Sequence, residues 1–189
     1  MLPTRLPLLL LFLFLLAAPL GAQDTFAPTT IARQQAAAYL KPFPENGVVP
    51  LDVIAGDFAT NETAALGKYS GQRMTVIGRI AALSQGDSEN KILVVTLQGR
   101  DASQPAVKAQ FLFGSIPENS ELEFSNDGTM VTMLKRDRTG VILGREPYLS
   151  VDQKVGIKGS FKNLSVGDIV LTDCKLVPKE KLRELTEKK

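Results

Sequence analysis

The side chains that most enzymes use as nucleophiles, bases and metal ligands are nearly absent from this sequence. It has no histidine, and its one cysteine is Cys174. Without histidine, the Ser-His and Cys-His arrangements of nucleophilic catalysis and the usual zinc sites are excluded. A single cysteine also excludes a disulfide within the chain, and a free cysteine is most often buried and unreactive. We therefore predict no catalytic residue, no metal site and no cofactor.

Carboxylates are the remaining groups that could perform acid–base or metal chemistry. Glu121 and Glu123 share one face of a predicted strand and could bind a divalent cation. Two carboxylates without further oxygen ligands make a poor cation site. A carboxylate-based hydrolase remains only as an unfavoured alternative hypothesis, under which changing an Asp or Glu would abolish hydrolytic activity.

Basic side chains could bind a partner without catalysing a reaction, and they form two sets. The first set occupies outward positions of predicted strands and comprises Arg79, Lys108, Lys158 and Lys162. If these strands share one face, the four side chains form a shallow groove for an anionic ligand. The second set occupies a predicted hairpin and comprises Lys135, Arg136, Arg138 and Arg145. It could hold a phosphate, an acidic glycan or a membrane surface, or it could keep an exposed strand edge soluble.

Aromatic residues bear on whether the strand lysines could bind single-stranded nucleic acid, which also requires exposed rings for stacking. Three aromatic residues are predicted to face the core: Phe111, Phe113 and Phe161. Only Tyr69 and Tyr148 are predicted to be free. This pattern favours ordinary solvated lysines over a nucleic-acid groove.

Residues 1–22 are predicted to be a signal peptide, because a basic start is followed by apolar residues 6–20 and by a small Gly-Ala exit. A retained anchor is the alternative, although spanning a membrane usually needs about 20 apolar residues. The protein is thus expected to be secreted or periplasmic, with no membrane span after cleavage. Its formal net charge of +2 is not the marked basic excess of a domain that grips nucleic acid.

Helical segments are predicted at both ends of the remaining chain. Residues 23–50 comprise a helix at 31–40 and an extended, proline-rich linker at 41–50. A further helix at 51–58 places four apolar residues on one face, and a short helix follows at 61–67; the four are Leu51, Ile54, Ala55 and Phe58. Residues 178–189 form a charged, helix-prone tail that is expected to fray.

Residues 51–177 are predicted to form the main domain, in which the strands are antiparallel and connected in series. Alternation predicts strands at 72–84, 91–98 and 105–114, a β-meander within 115–150, and strands at 153–162 and 168–177 joined by a turn at 163–167. A bulge near Thr172-Asp173 would bring Leu171, Cys174 and Leu176 to the core. Gly78 would let the first strand bend enough to serve both sheets of a barrel, or it would mark a close contact. The pattern fits a five-stranded barrel, with a sandwich as the alternative.

Three stretches of the sequence also resemble a known family. They are ATNETAALGKYSGQRMTVIGRI at 59–80, QKVGIKGSF at 153–161 and GDIVLTDCKL at 167–176. In this order they resemble the tRNA_anti-like group of OB-fold proteins; the matching residues are Asn61, Glu62, Ala64, Ala65, Lys68, Tyr69, Gly71, Val76, Gly78, Asp173 and Cys174. The resemblance implies a mainly β, five-stranded OB-type Greek-key barrel. The meander departs from it, because OB barrels often place a helix between strands three and four.

The sequence as a whole therefore predicts an exported, non-enzymatic OB-fold binding module of the cell envelope. Its partner would be an envelope protein or an anionic ligand. The first alternative is a protein that binds single-stranded nucleic acid or oligosaccharide through the strand lysines. Nucleic acid is suggested by fold analogy only, and a fold does not determine a function.

Overall fold

A computed structural model describes residues 40–86, 92–112 and 119–187. The predicted signal peptide, the helix at 31–40 except Leu40, most of the turn at 86–90, and Phe113 lie outside these residues. The elements, in chain order, are β1 (Val48–Pro50), α1 (Leu51–Thr60), α2 (Glu62–Tyr69), β2 (Arg73–Gln85), β3 (Ile92–Leu97), β4 (Val107–Leu112), β5 (Ser120–Phe124), β6 (Met130–Arg136), β7 (Ile142–Ser150), β8 (Lys154–Ser165), β9 (Asp168–Leu176) and α3 (Lys179–Glu187).

Five of these strands close into a barrel. Their order is β2–β3–β4–β9–β8, and β8 pairs again with β2. The β4–β9 pair is parallel, which corrects the prediction that all the strands are antiparallel, because the inserted sheet brings the chain back to the same end of the barrel before β8 and β9; the other four pairs are antiparallel. The structure confirms the predicted five-stranded OB-type barrel and excludes the sandwich.

Strand β2 closes the barrel by changing partners along its length. Residues 73–79 pair with β8, and residues 80–85 pair with β3 after a register shift at Ile80–Ala82. Gly78 lies at this change of partner, as its predicted bending role requires. A Cβ at Gly78 would lie 2.8 Å from Cδ2 and 3.2 Å from Cβ of Leu51, the first residue of α1. Gly78 is therefore also a close contact, so the two interpretations of this glycine hold together.

Alternating side chains fill the barrel as predicted. The buried residues of the five strands include Met74, Val76, Ile80, Leu93, Val95, Leu97, Val107, Ala109, Phe111, Val155, Ile157, Phe161, Ile169 and Leu171. Helix α1 adds its predicted apolar face, and the Phe58 ring stacks at 5.7 Å on both Tyr69 and Phe161. Burying each large apolar side chain contributes about 1.5–3 kcal/mol to folding. The core thus joins the N-terminal helices to the barrel.

The β8–β9 hairpin corrects one predicted boundary. We expected a turn at 163–167, but β8 continues to Ser165 and only Val166 and Gly167 form the turn, with φ of +52° and +82°. Such two-residue turns match the twist of paired strands and so allow the ladder to continue. The predicted bulge is confirmed, since Asp173 and Cys174 together face Gly159, and Asp173 has a φ of +52°.

The inserted meander between β4 and β8 is confirmed as a separate three-stranded sheet, β5–β6–β7. Its inner side chains Leu122, Val131 and Leu149 belong to the same apolar cluster as the barrel core. No helix occurs among the described residues of this insertion, 119–150. The insertion therefore packs as part of the domain.

Short segments at both ends cover the barrel. Strand β1, at the end of the predicted linker, pairs in parallel with residues 75–77 of β2. In the C-terminal helix α3, Leu182 lies close enough to Gly156 of β8 that a Cβ there would be 3.1 Å from it. None of the helices in the described ranges has the length and hydropathy needed to cross a membrane.

The contact between Gly78 and Leu51 can be tested by adding one methyl group. Gly78→Ala is expected to lower the free energy of unfolding by about 1–3 kcal/mol, because the core there has no room for it. Gly56→Ala in α1 is the matched control, since nothing lies within 4 Å of its Cβ position. That substitution should raise stability by up to about 1 kcal/mol. Urea unfolding measures both changes, and a shift in the same direction for both would refute the packing argument.

Candidate functional site

The hairpin set of basic residues is largely neutralised. Lys135 pairs with Glu146 at 2.7 Å, and Arg145 pairs with Glu123 at 3.0 Å. Arg136 pairs with Glu121 through two nitrogens and also donates to a backbone oxygen. Arg138 is exposed at the β6–β7 turn, and none of the ion pairs among the described residues involves it.

The same contacts occupy the candidate acidic pair. The Glu121 carboxylate accepts hydrogen bonds from Arg136 on the neighbouring strand β6, and the Glu123 carboxylate accepts one from Arg145 on β7, across the intervening strand β6. Within the described part of the chain, no group of three or more acidic or cysteine side chains could hold a metal ion. These carboxylates therefore neutralise the arginines of the insertion sheet and are not free to bind a cation.

The four strand cations do not form one groove. Arg79 lies at one end of the β2–β8 pair, where its Nη1 donates to the Asp152 carbonyl oxygen at 2.8 Å. Lys108 lies on β4 and forms an ion pair with Asp168 at 2.6 Å. Lys158 and Lys162 lie on the outer surface of β8 and are exposed. Arg79 and Lys108 thus have contacts of their own, whereas the ion pairs of the described residues include neither of the two β8 lysines.

Lys158 and Lys162 are joined instead by two cations outside the predicted set. Lys175 on β9 lies directly opposite Lys158. Arg73 on β2 lies opposite Ser160, and Ser160 lies opposite Thr172. We call the surface formed by Arg73, Lys158, Lys162 and Lys175 the basic face. The ion pairs within residues 40–86, 92–112 and 119–187 involve none of these four.

Arg73 and Lys175 were not among the predicted site residues, although the sequence pattern indicates that both face outward. Arg73 has the same outward parity as Arg79 on the predicted first strand. Lys175 stands between Cys174 and Leu176, which were both predicted to face the core. Its outward position therefore follows from the predicted bulge, but its position opposite Lys158 depends on the register of β8 and β9.

The basic face places two like charges, those of Lys158 and Lys175, directly opposite each other on paired strands. Directly opposite residues of an antiparallel pair have Cβ atoms about 4.5–5.5 Å apart, and like charges there are destabilising. The insertion sheet shows the reverse, with oppositely charged side chains paired across its strands. One acidic residue, the exposed Asp173 on the bulge, precedes Lys175 by two positions, but it forms none of the ion pairs of the described residues. Lys158 and Lys175 thus concentrate positive charge on the barrel surface.

The residues that carry the family resemblance have structural roles. Asn61 caps α2 by accepting a hydrogen bond from the Ala64 amide at 3.0 Å. Asp57 accepts hydrogen bonds of 2.6 Å from both Lys68 and Tyr69. The Lys68 side chain is only 5% exposed, and Nζ lies 4.9 Å from the centre of the Tyr69 ring. We call Asp57, Lys68 and Tyr69 the helix-pair network, because it connects α1 to α2.

The two tyrosines that we predicted to be free are not. Tyr69 is fully buried, and burial, with the hydrogen bond to Asp57, raises its pKa far above the ordinary range. Tyr148 is half-buried, and burial raises its pKa as well. The reason is that Tyr69 ends α2 against the barrel core, which helical spacing alone did not reveal. The Tyr69 ring therefore cannot stack on a base, and the Tyr148 ring is only partly exposed.

Cys174 lies in the core, as predicted for a free cysteine. A Cβ at Gly159 would lie 2.8 Å from its Sγ. Burial is the main cause that raises the pKa of the thiol to about 12. Because the thiolate is the reactive form, the side chain acts here as a small hydrophobe.

Comparison with known proteins adds a limited structural likeness. No protein-family model matches the sequence, and no curated protein sequence matches it. One similar solved structure is that of a "putative nucleic acid-binding lipoprotein" from Klebsiella pneumoniae. It is 16% identical, has a TM-score of 0.45, and the match covers 76% of this chain and 97% of that one. Such a likeness carries no inference about the ligand of this protein.

The helix-pair network should be needed for stability. Asp57→Ala is expected to lower the free energy of unfolding by about 3–5 kcal/mol, because it leaves the Lys68 ammonium buried without its partner. Glu123→Ala, which removes one side of an exposed ion pair, is the control and should change stability by less than about 1 kcal/mol. Urea unfolding gives both values, and similar costs for the two substitutions would contradict the assigned burial.

The thiol of Cys174 should be unreactive in the folded protein. We expect a disulfide exchange reagent at pH 8 to leave the native protein unlabelled, because the thiol is buried and its pKa is raised. Unfolding in guanidinium should expose one reactive thiol per chain. Labelling of the native protein at the rate of a free thiol would contradict this prediction.

Proposed function

We propose that this protein is an exported, non-enzymatic OB-fold module of the cell envelope that binds an anionic ligand on its basic face. The observation that carries the proposal is the register of β8 and β9, which places Lys158 directly opposite Lys175. Arg73 and Lys162 extend the same surface. An anion between these cations would replace repulsion with attraction.

The contrast with the insertion sheet supports this interpretation. In that sheet, Lys135, Arg136 and Arg145 are each matched with a carboxylate across the strands. Single solvated cations are common on protein surfaces, but these four lie on one face and none forms an ion pair within the described part of the chain, so they concentrate the positive potential. Such a potential attracts anions and weakens with salt, because exposed charges are screened over about 8–10 Å at physiological ionic strength.

Charge is the basis of the proposed binding, and base stacking is not. The aromatic side chains among residues 40–86, 92–112 and 119–187 are buried or only partly exposed, and none belongs to the four residues of the basic face. A nucleic-acid strand could therefore be held on the basic face only through its phosphates, as any polyanion would be. The hydrolase alternative loses support because Glu121 and Glu123 are engaged by arginines.

Export and family membership are parts of the same proposal. The predicted signal peptide at 1–22 supports a secreted or periplasmic location. The order of the three matching stretches supports membership of the tRNA_anti-like group, and their residues lie in the helices and barrel strands that the resemblance implies. An envelope protein with an acidic surface would also satisfy the basic face.

Charge reversal on the basic face tests the proposal. The mature chain should be retained on a heparin column and bind an oligothymidylate probe, with affinities that fall as salt increases. In Lys158→Glu/Lys175→Glu, the slope of log affinity against log salt for the oligothymidylate should decrease in magnitude by about 1.4, because each lysine neutralises one phosphate and each phosphate of a single strand contributes about 0.7 to the slope. Fluorescence anisotropy over a range of sodium chloride concentrations measures it.

Arg138→Glu is the matched control, because Arg138 is also exposed and without an ion pair among the described residues, but lies on the insertion. It should leave the slope unchanged. The basic face is refuted as the site if the double variant binds like the parent, or if Arg138→Glu has the larger effect.

A further inference from the structure

A cleft opens on the barrel at some distance from the basic face. It lies where the first turn of α1, strand β2, the β3–β4 loop and the β7–β8 turn meet, and its volume is about 470 Å³. Clefts of about 300–1,000 Å³ are typical of small-molecule sites. Its lining includes Leu51, Ile77, Arg79, Arg100, Asp152 and Lys154.

Three cations line this cleft. Arg79 and Lys154 lie directly opposite each other on β2 and β8, which repeats the like-charge arrangement of the basic face. Arg100 comes from the β3–β4 loop. The ion pairs of the described residues include none of the three. The backbone bond from Arg79 Nη1 to Asp152 fixes the guanidinium and leaves its other N–H groups for a ligand.

Two carboxylates also line the cleft, and they limit what it can hold. Asp52 lies against Gly99, where a Cβ would be 3.0 Å from its Oδ1. Asp152 lies on the β7–β8 turn with a φ of +64°. Three cations against two carboxylates suit a ligand with one localised anionic group. They do not suit a polyanion.

The other part of the lining is apolar. Pro50 and Ala81, which are exposed, and Ile77, which is partly exposed, contribute aliphatic surface to it. A ligand that matches both parts has an oxyanion at one end and an apolar body at the other. Guanidinium groups suit the oxyanion because they form bidentate hydrogen bonds with carboxylates and phosphates.

We propose that this cleft binds a small organic oxyanion, with Arg79, Arg100 and Lys154 holding its charged group. The site is separate from the basic face. On β8, Gly156 lies between Lys154 and Lys158, and Val177 and Leu182 cover it. The cleft is therefore a second site whose ligand differs in size and charge from a ligand of the basic face.

Phenyl phosphate is a suitable probe, because it combines an oxyanion with an apolar ring. Titration of the ¹⁵N-labelled mature chain should give saturable shifts at the amides of Gly78, Gly99 and Arg100. Its dissociation constant should be about tenfold lower than that of phenol or inorganic phosphate, since each half contacts only one part of the cleft. Arg100→Ala should weaken phenyl phosphate binding by about tenfold, as expected when one charge-assisted pair is removed.

Arg138→Ala is the matched control, because Arg138 is an exposed cation of the insertion that belongs to neither site, and it should leave phenyl phosphate binding unchanged. The proposal is overturned by the absence of saturable shifts at the cleft, by equal binding of phenyl phosphate and inorganic phosphate, or by unchanged affinity in Arg100→Ala. An equal loss of affinity in Lys158→Ala would move the site to the basic face and would also overturn it. None of these results depends on whether the basic face binds a polyanion.

Discussion

The fold depends on one strand that belongs to two pairs. Strand β2 pairs with β8 and then with β3, so the barrel can close only if β2 changes direction between them. Gly78 lies at that point, and Leu51 of α1 packs into the space that its missing side chain leaves. One glycine thus couples closure of the barrel to docking of the N-terminal helices. The helix-pair network then fixes α2 relative to α1, so the helices support the barrel as one unit.

The two sheets distribute charge in different ways, and this difference suggests where function lies. The insertion sheet pairs opposite charges across its strands and buries Leu122, Val131 and Leu149 against the barrel. Its outer surface is therefore internally compensated. The barrel places like charges opposite each other at two points of β8, Lys158 with Lys175 and Lys154 with Arg79. Because the cations of the insertion sheet are largely neutralised and those of β8 are not, the positive electrostatic potential is concentrated on the barrel.

Much of this fold could be predicted from the sequence, because alternation determines which side chains face a core. The strands, the meander and the bulge at Asp173 follow from apolar spacing and from the point where that spacing fails. The site was harder to predict, because it depends on register between strands. The spacing around Cys174 makes Lys175 face outward, but only pairing places it opposite Lys158. Likewise, carboxylates far away in sequence neutralise the hairpin cations, and the cleft is assembled from four separate segments.

The roles of Asn61, Lys68 and Tyr69, which carry part of the family resemblance, bear on what that resemblance can predict. Asn61 caps α2, Lys68 and Tyr69 connect α2 to α1 through Asp57, and none of the three lines the cleft or is one of the four cations of the basic face. A sequence signature made of such residues is a signature of the fold. Two descendants of a common ancestor could keep them unchanged while their ligands diverged completely, because the surface lysines and arginines can vary without disturbing that scaffold. A family assignment based on such a signature would therefore predict the fold, whereas the ligand must be inferred from the surface residues.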